Sequence, residues 1–590
     1  MALSNDTRLE HPQGMSIRSF ALPSAATMIL LGLGGFMAIF AVMPLCLMLW
    51  RSLRDHNDVY VGLANYLAFL QLPTAGTVIA NTLFVAVAST VITVSIGMLF
   101  ALSLTHACVR FKTFFRSVAL LPLLTPSLLS AMALTQLFGS QGYLNSIMMG
   151  QSIYGPIGII TGMSIAHFPH VFIILSASIA LSDARLYEAA RALRARPLRI
   201  FLTVTLPSMK YGLVSASIAS FTLCLTDFGI PKVIGGQYSM LATEIYKQVV
   251  GQQNFQIGSV LSMLLLAPAA LAFVIDRRIR RRQAAALTSK AVPFAPVPQT
   301  MRDRLALALC LGVSMVMLAM ILVPAYASFI KFWPYNLELT LRNYEFHRFA
   351  GGGWESYWNS LKLSLLTATI GSTMVFAGAY LTEKSRAPLW LRNFYQILAM
   401  FPLAVPGLVL GLSYVFFLND PSNPLEILYG TLAVLVISTI VHFYTVSHLT
   451  AVTALRQLDN EFELVSDSLR VSRLRTFFVI TLPLCLHAVL DIWIYLFLSA
   501  MTTVSAAVFL YSHNNIVASI TVINMDDAGE YAAASAMAVV IVVTCIAARC
   551  VHLLAAYWLA RRTQAWKGAE VALPRKQQLW FRSTSTRSRT

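Results

Sequence analysis

The sequence predicts an all-α, polytopic membrane protein with about twelve transmembrane helices, arranged as two parallel six-helix halves. Three observations predict this. The 590 residues are 57% hydrophobic and only 12% charged, with a mean hydropathy of +0.69, more apolar sequence than a water-soluble core needs. Landmarks in the first half recur in the second roughly 275 to 280 residues later. Basic residues also concentrate in alternate connecting segments, as they do on the cytoplasmic side of membrane proteins.

Apolar runs long enough to cross a bilayer lie near residues 25–50, 79–104, 117–138, 155–181, 209–233 and 257–275. A second set lies near 305–330, 360–382, 393–414, 430–452, 485–507 and 531–560. The chain thus divides into a first half (1–275), a basic and Pro-rich cytoplasmic linker (276–304), a second half (305–560) and a basic, Ser/Thr-rich tail (561–590). An even number of crossings returns the chain to the side it left, so both halves point the same way and the repeat is parallel. The landmarks support one duplication. Asn65-Tyr66 returns as Asn343-Tyr344, Asn81-Thr82-Leu83 as Asn359-Ser360-Leu361, and His167-Phe168 as His442-Phe443. Leu121-Pro122 with Pro126 returns as Phe401-Pro402 with Pro406.

With the N-terminus inside, about 34 of the 43 Lys and Arg fall in cytoplasmic segments, among them Arg277, Arg278 and Arg280 at the start of the linker. The net charge of +18 therefore reflects membrane orientation, and nucleic acid is not an expected partner. Polar residues before residue 25 make the first span a retained anchor rather than a signal peptide. The seven Cys form no closely spaced metal-type pair and read as small buried hydrophobes.

The most informative repeat is a cytoplasmic loop. YEAARALRARPLRIFLTVTLP runs from Tyr187 to Pro207, and ELVSDSLRVSRLRTFFVITLP from Glu463 to Pro483. Leu186, Ala189, Ala190 and Leu193 recur at helical spacing, with Arg185, Arg191 and Arg196 off that stripe. Such a helix can lie on lipid, or in a groove on a soluble partner. Two copies in register favour a two-fold partner.

The two loops resemble the EAA loop of permease subunits in bacterial ATP-binding-cassette importers. That pattern is Glu-Ala-Ala, three residues, Gly, nine residues, an aliphatic residue, any residue and Leu-Pro. The first copy matches at Glu188, Ala189, Ala190, Val204, Leu206 and Pro207. The second keeps Ile480, Leu482 and Pro483, has Leu464, Val465 and Ser466 at the Glu-Ala-Ala positions, and carries Glu463 one step early. Lacking an aligned acid, it is expected to tolerate a Glu463→Lys change better than the first copy tolerates Glu188→Lys. Arg194 and Arg470 replace the glycine, so each turn has either negative φ or strain. The resemblance implies a type I importer permease fold in the bacterial inner membrane, with both termini cytoplasmic. It implies two cytoplasmic ATPase subunits and a periplasmic solute-binding protein as partners, beside membrane lipid. Glu188, Ala189, Ala190, Arg194, Leu206, Pro207, Glu463, Leu464, Arg470, Leu482 and Pro483 then become the coupling residues. No phosphate-binding Gly-x-x-x-x-Gly-Lys-Ser/Thr loop occurs, so ATP hydrolysis is expected on a separate subunit, with no catalytic residue, cofactor or resident metal here.

Candidates for the translocation path are Asp227, its repeat partner Thr503, and Pro126 and Pro406, which would bend the third and ninth spans. Asp227 has two readings, a path residue or an interhelical partner paired with Lys232. Asp491 reads as a structural pair member, and His167 and His442 as packing donors. Fused halves of this kind resemble the ferric-iron, polyamine and phosphonate branch. Segments from Thr226, Met501 and Ile523 are similar to permeases assigned to 2-aminoethylphosphonate, with ferric iron or polyamine as the alternative. A secondary transporter, which needs no ATPase, is the alternative of another class.

Overall fold

The computed structural model describes residues 25–563 apart from 181, 287–291, 293, 350, 386 and 460. The N-terminal stretch, part of the linker and nearly all of the expected tail lie outside the described residues. Helices dominate. The one sheet among the described residues is a small hairpin, Ile330–Phe332 paired antiparallel with Asn336–Leu339, which the sequence reading did not anticipate.

Among the described residues, nine helices are long and apolar enough to cross a membrane. The pair Leu389–Ala404 and Gly407–Leu418, bent by 112°, makes a tenth if it is one span. The shortfall from twelve has physical causes. Residues 117–138 form no single span: Lys112–Ala119 is followed by a tight turn, Leu121–Leu124, and then Ser127–Phe138. At ~1.5 Å per residue, Ser127–Phe138 covers about 18 Å, well short of a hydrocarbon core of about 30 Å. Pro126 and Pro406 stand in extended conformation at the N-caps of Ser127–Phe138 and Gly407–Leu418. The prolines therefore break the third and ninth spans where a bend was expected. The fifth expected span stops at Asp227 (φ −68°, ψ 129°), with Gly229–Ile234 following as a separate turn of helix; the 21 residues of Leu206–Thr226 are long enough to cross but are diluted by Lys210 and by Ser208, Ser215, Ser217 and Ser220. Its repeat, Leu482–Thr502, stops the same way at Thr503 (φ −69°, ψ 137°).

The two halves are built alike. Ala75–His106 packs along Pro156–Ala180 and Leu206–Thr226, as Gly353–Glu383 packs along Leu432–Arg456 and Leu482–Thr502. Contact is close at Gly97, where an added Cβ would come within 2.8 Å of Val171. Each half also sends its first helix to the other. Ala25–Met37 packs on Leu389–Met400 and Met43–Ser52 on Gly407–Leu418, while Thr300–Ser328 packs on Ala75–His106 and Ser127–Phe138. A π-turn at Ala38–Val42 loosens the first helix, and the carbonyl of Phe40 accepts a hydrogen bond from Tyr414 Oη at 2.7 Å.

The repeat landmarks are structural fasteners. Asn65 Nδ2 donates to the carbonyls of Ser52 and Arg54, and Asn343 Nδ2 to those of Ser328 and Ile330. Tyr66 and Tyr344 hydroxyls bond Ser52 Oγ and Ser328 Oγ, each at 2.8 Å. Thr82 Oγ1 accepts from Leu241 N–H at 2.8 Å and Ser360 Oγ from Ala518 N–H at 2.7 Å. In a bilayer a helix end without such partners would leave backbone groups unsatisfied, which explains why these side chains occur in both halves.

Candidate functional site

The two repeated loops fold almost identically. Asp183 caps the helix Ala184–Ala192, its carboxylate accepting from Arg185 N–H at 3.0 Å. The helix ends in a Schellman turn: Ala195 N–H donates to Ala190 O at 3.1 Å and Arg194 N–H to Arg191 O at 2.9 Å. The second copy, Glu461–Ser468, ends with the same pair, Val471 N–H to Ser466 O at 3.0 Å and Arg470 N–H to Asp467 O at 3.1 Å. That turn needs a left-handed residue. Arg194 has φ 52° and Arg470 φ 53°, so of the two possibilities open from sequence the strained one is realised in both loops. A short helix, Pro197–Ile200 or Arg473–Thr476, then runs through a π-turn, Phe201–Thr205 or Phe477–Thr481, into Leu206–Thr226 or Leu482–Thr502. Leu206, Pro207, Leu482 and Pro483 follow the π-turns directly, so the prolines interrupt the backbone bonding where the helix is already widened.

The helical stripe expected to meet a partner faces away from the protein. Leu193 is 83% exposed and Leu469 70%. Leu186, Leu198, Leu464, Val465 and Leu474 are exposed as well. Glu188 and Ala189 are exposed and Ala190 partly so. Among the described residues Glu188 has no ion-pair partner. Glu463 differs. It is partly buried, with Oε2 3.5 Å from Lys384 Nζ, whose side chain is nearly enclosed. Lys384 also donates to Leu458 O at 3.0 Å and Arg473 donates to Lys384 O at 3.2 Å. Sequence reasoning missed Lys384. Its signal was available, since it sits at the same offset from His106 as the other landmarks.

Within the membrane, Asp227 does not pair with Lys232. Its Oδ2 lies 3.2 Å from His167 Nε2, with both side chains buried, and its Oδ1 accepts Ile230 N–H at 3.1 Å. The acid therefore caps the turn Gly229–Ile234 and holds it to the helix Pro156–Ala180. Thr503 occupies the matching break, where its carbonyl accepts from Ser519 Oγ at 2.5 Å. Lys232 instead crosses to the other half. Its Nζ lies 3.0 Å from Asp527 Oδ1 and 5.2 Å from the Tyr246 ring centroid. Burial and the neighbouring Asp527 push the Asp526 carboxyl up to about 7, against a smaller opposing pull from Lys232. Asp491 pairs with His552 at 3.2 Å, the structural role expected of it. Among the described residues no group of three or more His, Cys, Asp or Glu is placed to hold a metal ion.

The chain is 28% identical over 483 residues to the ferric transport system permease protein FbpB of Actinobacillus pleuropneumoniae, covering 80% of this chain and 70% of that one. It is 29% identical over 449 residues to a putative ferric transport system permease protein FbpB 1 of Haemophilus influenzae, covering 73% and 70%. One half alone resembles the molybdenum transport system permease protein ModB of Mycobacterium tuberculosis, 28% identical over 240 residues, or 40% of this chain and 87% of that one. Residues 93–284 and 374–564 each match the family described as the inner membrane component of binding-protein-dependent transport systems. The chain belongs to that family: it is a two-unit, multi-pass permease subunit of an ATP-binding-cassette importer, and not an enzyme.

Proposed function

We propose that this permease carries ferric iron into the cell, driven by two cytoplasmic ATPase subunits that dock on Ala184–Ala192 and Glu461–Ser468. A periplasmic binding protein delivers the solute at the opposite face. Both termini and both loops are cytoplasmic, and the third and fifth helices of the first half with the bent third helix of the second bring the nine long spans to twelve crossings. The observation that supports coupling is the duplicated exposed helix, linked through a Schellman turn to a second short helix that runs without a gap into a helix that breaks beside Asp227 or Thr503. Pulling the two loops together tilts Leu206–Thr226 and Leu482–Thr502. Beyond their far ends, Lys232 on Gly229–Ile234 and Asp527 on Ala518–Asp527 form the seam between the halves. ATP binding to the partner thus biases a two-state bundle.

The iron reading rests on the relatives. Those named above carry iron or molybdenum in their names, others a spermidine/putrescine system, and none of these a phosphonate. The expectation of 2-aminoethylphosphonate, drawn from segment resemblance alone, accordingly gives way to its alternative. Family membership also removes the secondary transporter.

The test is reconstitution with the ATPase and binding protein. Radiolabelled ferric iron should accumulate only with ATP, and excess 2-aminoethylphosphonate should not compete. ATP-dependent accumulation of the phosphonate without iron would reverse the assignment. Leu193→Cys and Leu469→Cys should resist an impermeant thiol reagent in intact cells and react in inverted vesicles. Labelling from outside would overturn the orientation.

A further inference from the structure

We propose that the segment between the halves, described at Val292 and from Phe294 to Asp303, is a strap that seats the first coupling helix, with Phe294 as its anchor. The proposal rests on the docking role given above to Ala184–Ala192. Its structural basis is independent of that role.

Phe294 sits in a cluster of rings drawn from separate parts of the chain. Its centroid lies 4.5 Å from that of His106, at the end of Ala75–His106, and 4.8 Å from that of Tyr187 on the coupling helix. The His106 and Tyr187 rings are themselves 5.2 Å apart. The Arg191 guanidinium lies over Phe294 at 5.4 Å. Tyr187 is buried, while its chain neighbours Leu186 and Glu188 are exposed. The coupling helix is therefore held on its inner face by Ala184 at its start and by the Tyr187 ring, and Phe294 covers that ring.

Backbone contacts fix the strap on both sides of the ring. Ala184 N–H donates to Val292 O at 2.9 Å, and Val292 N–H reaches Asp183 Oδ1 at 3.4 Å. That carboxylate is the one that caps the coupling helix. Further along, Cys108 N–H donates to Asp303 Oδ1 at 3.1 Å, and Gln299 N–H to Asp303 Oδ2 at 2.9 Å. Arg302 Nη2 closes the turn on Val297 O at 2.6 Å.

The second half shows what the strap replaces. His106 and Tyr187 correspond through the repeat to Lys384 and Glu463. Those two residues make the same bridge, from the end of a long helix to the inner face of a coupling helix, as an ion pair at 3.5 Å. One coupling helix is thus fastened by charge within its own half. The other is fastened by rings, and needs the inter-half segment to complete them. Phe294 is a positioning residue: it touches no solute and acts through Tyr187.

Hydrogen exchange on the full chain in nanodiscs, with and without the ATPase, tests this. Phe294→Ala should speed exchange in 184–195 by about tenfold, the scale of two lost aromatic contacts, and leave 461–471 unchanged. Lys384→Ala should do the reverse. Phe294→Tyr and Tyr187→Phe should behave as the native protein, because each keeps its ring and the Tyr187 hydroxyl, buried, has no hydrogen-bond partner among the described residues. On the Phe294→Ala background, His106→Lys with Tyr187→Glu should restore protection by rebuilding the ionic bridge. In the complex, Phe294→Ala should raise ATP hydrolysed per solute moved. If Phe294→Ala leaves 184–195 unchanged, or loosens both loops alike, the strap is refuted. Loosening confined to 184–195 without any change in ATPase coupling would keep the strap and refute the docking role. Should Phe294→Ala fail to insert, Phe294→Leu carries the same comparison.

Discussion

Arg194→Gly and Arg470→Gly should each stabilise the end of a coupling helix, because both arginines hold a backbone conformation that L-residues avoid. Their φ values of 52° and 53° lie in the left-handed region, where a side chain costs about 1–2 kcal/mol. Glycine removes that cost but loses about 0.5–1 kcal/mol more conformational entropy on folding. The net gain is about 0.5–1 kcal/mol per loop. Both side chains are exposed, and among the described residues neither makes an ion pair, so no intrachain contact offsets the gain. The bonds that should tighten are those closing the Schellman turns, from the N–H groups of Arg194, Ala195, Arg470 and Val471. Their exchange should slow about two- to fivefold. Arg194→Ala is the control: it removes the guanidinium, keeps the left-handed penalty and should slow nothing. Equal slowing by Ala and Gly would refute the backbone argument. Strain held at a surface position usually has a use. If Arg194→Gly slows exchange yet lowers ATPase stimulation, the guanidinium itself meets the partner.

Other substitutions separate roles that the fold brings close together. Glu188→Lys should leave insertion intact and weaken ATPase association, measured by co-purification. Glu463→Lys would place an ammonium beside the enclosed Lys384 and should destabilise the second loop in hydrogen exchange, so the milder outcome expected from sequence is reversed. Asp227→Ala leaves the Ile230 N–H without its acceptor and should cost about 1–3 kcal/mol in thermal stability, whereas exchanging Asp227 with Lys232 should not rescue. Lys232→Asp with Asp527→Lys should rescue uptake better than either single change, because that pair joins the halves. Asp526 supplies a pH dependence. Its folded value of about 7 lies above the unfolded 3.8, so the folded state binds the extra proton between them. Stability is greatest below about 4 and falls as pH rises towards 7. Asp526→Asn should flatten that slope in thermal melts.

The features legible in the sequence were those set by solvent and by repetition. Hydropathy marked the long helices, and the offset between halves located both coupling loops before any contact was known. What stayed illegible depends on which side chains meet. Pro126 and Pro406 announced a disturbance, but a kink and a break have the same local signature; the structure shows the break, with Thr125 and Val405 extended before each proline. Lys232 lies five residues from Asp227, and proximity in sequence suggested a pair. The chain turns at Asp227, sending the lysine across the seam and leaving the acid to His167. The glycine positions were legible in part: Arg allowed two turns, and the duplicated Schellman bonds decide for positive φ.

Fusing two permease halves into one chain lets equivalent positions diverge. In an assembly of two identical subunits, a change at His106 or Tyr187 would appear twice and would have to suit both sides. Here the bridge to the coupling helix is aromatic in one half and ionic in the other. The acid beside the fifth-helix break exists only at Asp227, with Thr503 opposite. Among the described residues Glu188 makes no ion pair, whereas Glu463 at the adjacent repeat position meets Lys384. These differences fall at the loops and at the breaks, while the Asn–Tyr and Thr/Ser fasteners that satisfy helix ends stay matched. The physical requirement differs between the two sets. A helix end in lipid must satisfy its backbone in either half, so those residues tolerate little divergence. Loops in water carry no such requirement, and under the docking role proposed above each can adopt its own chemistry as long as both helices keep their apolar face exposed.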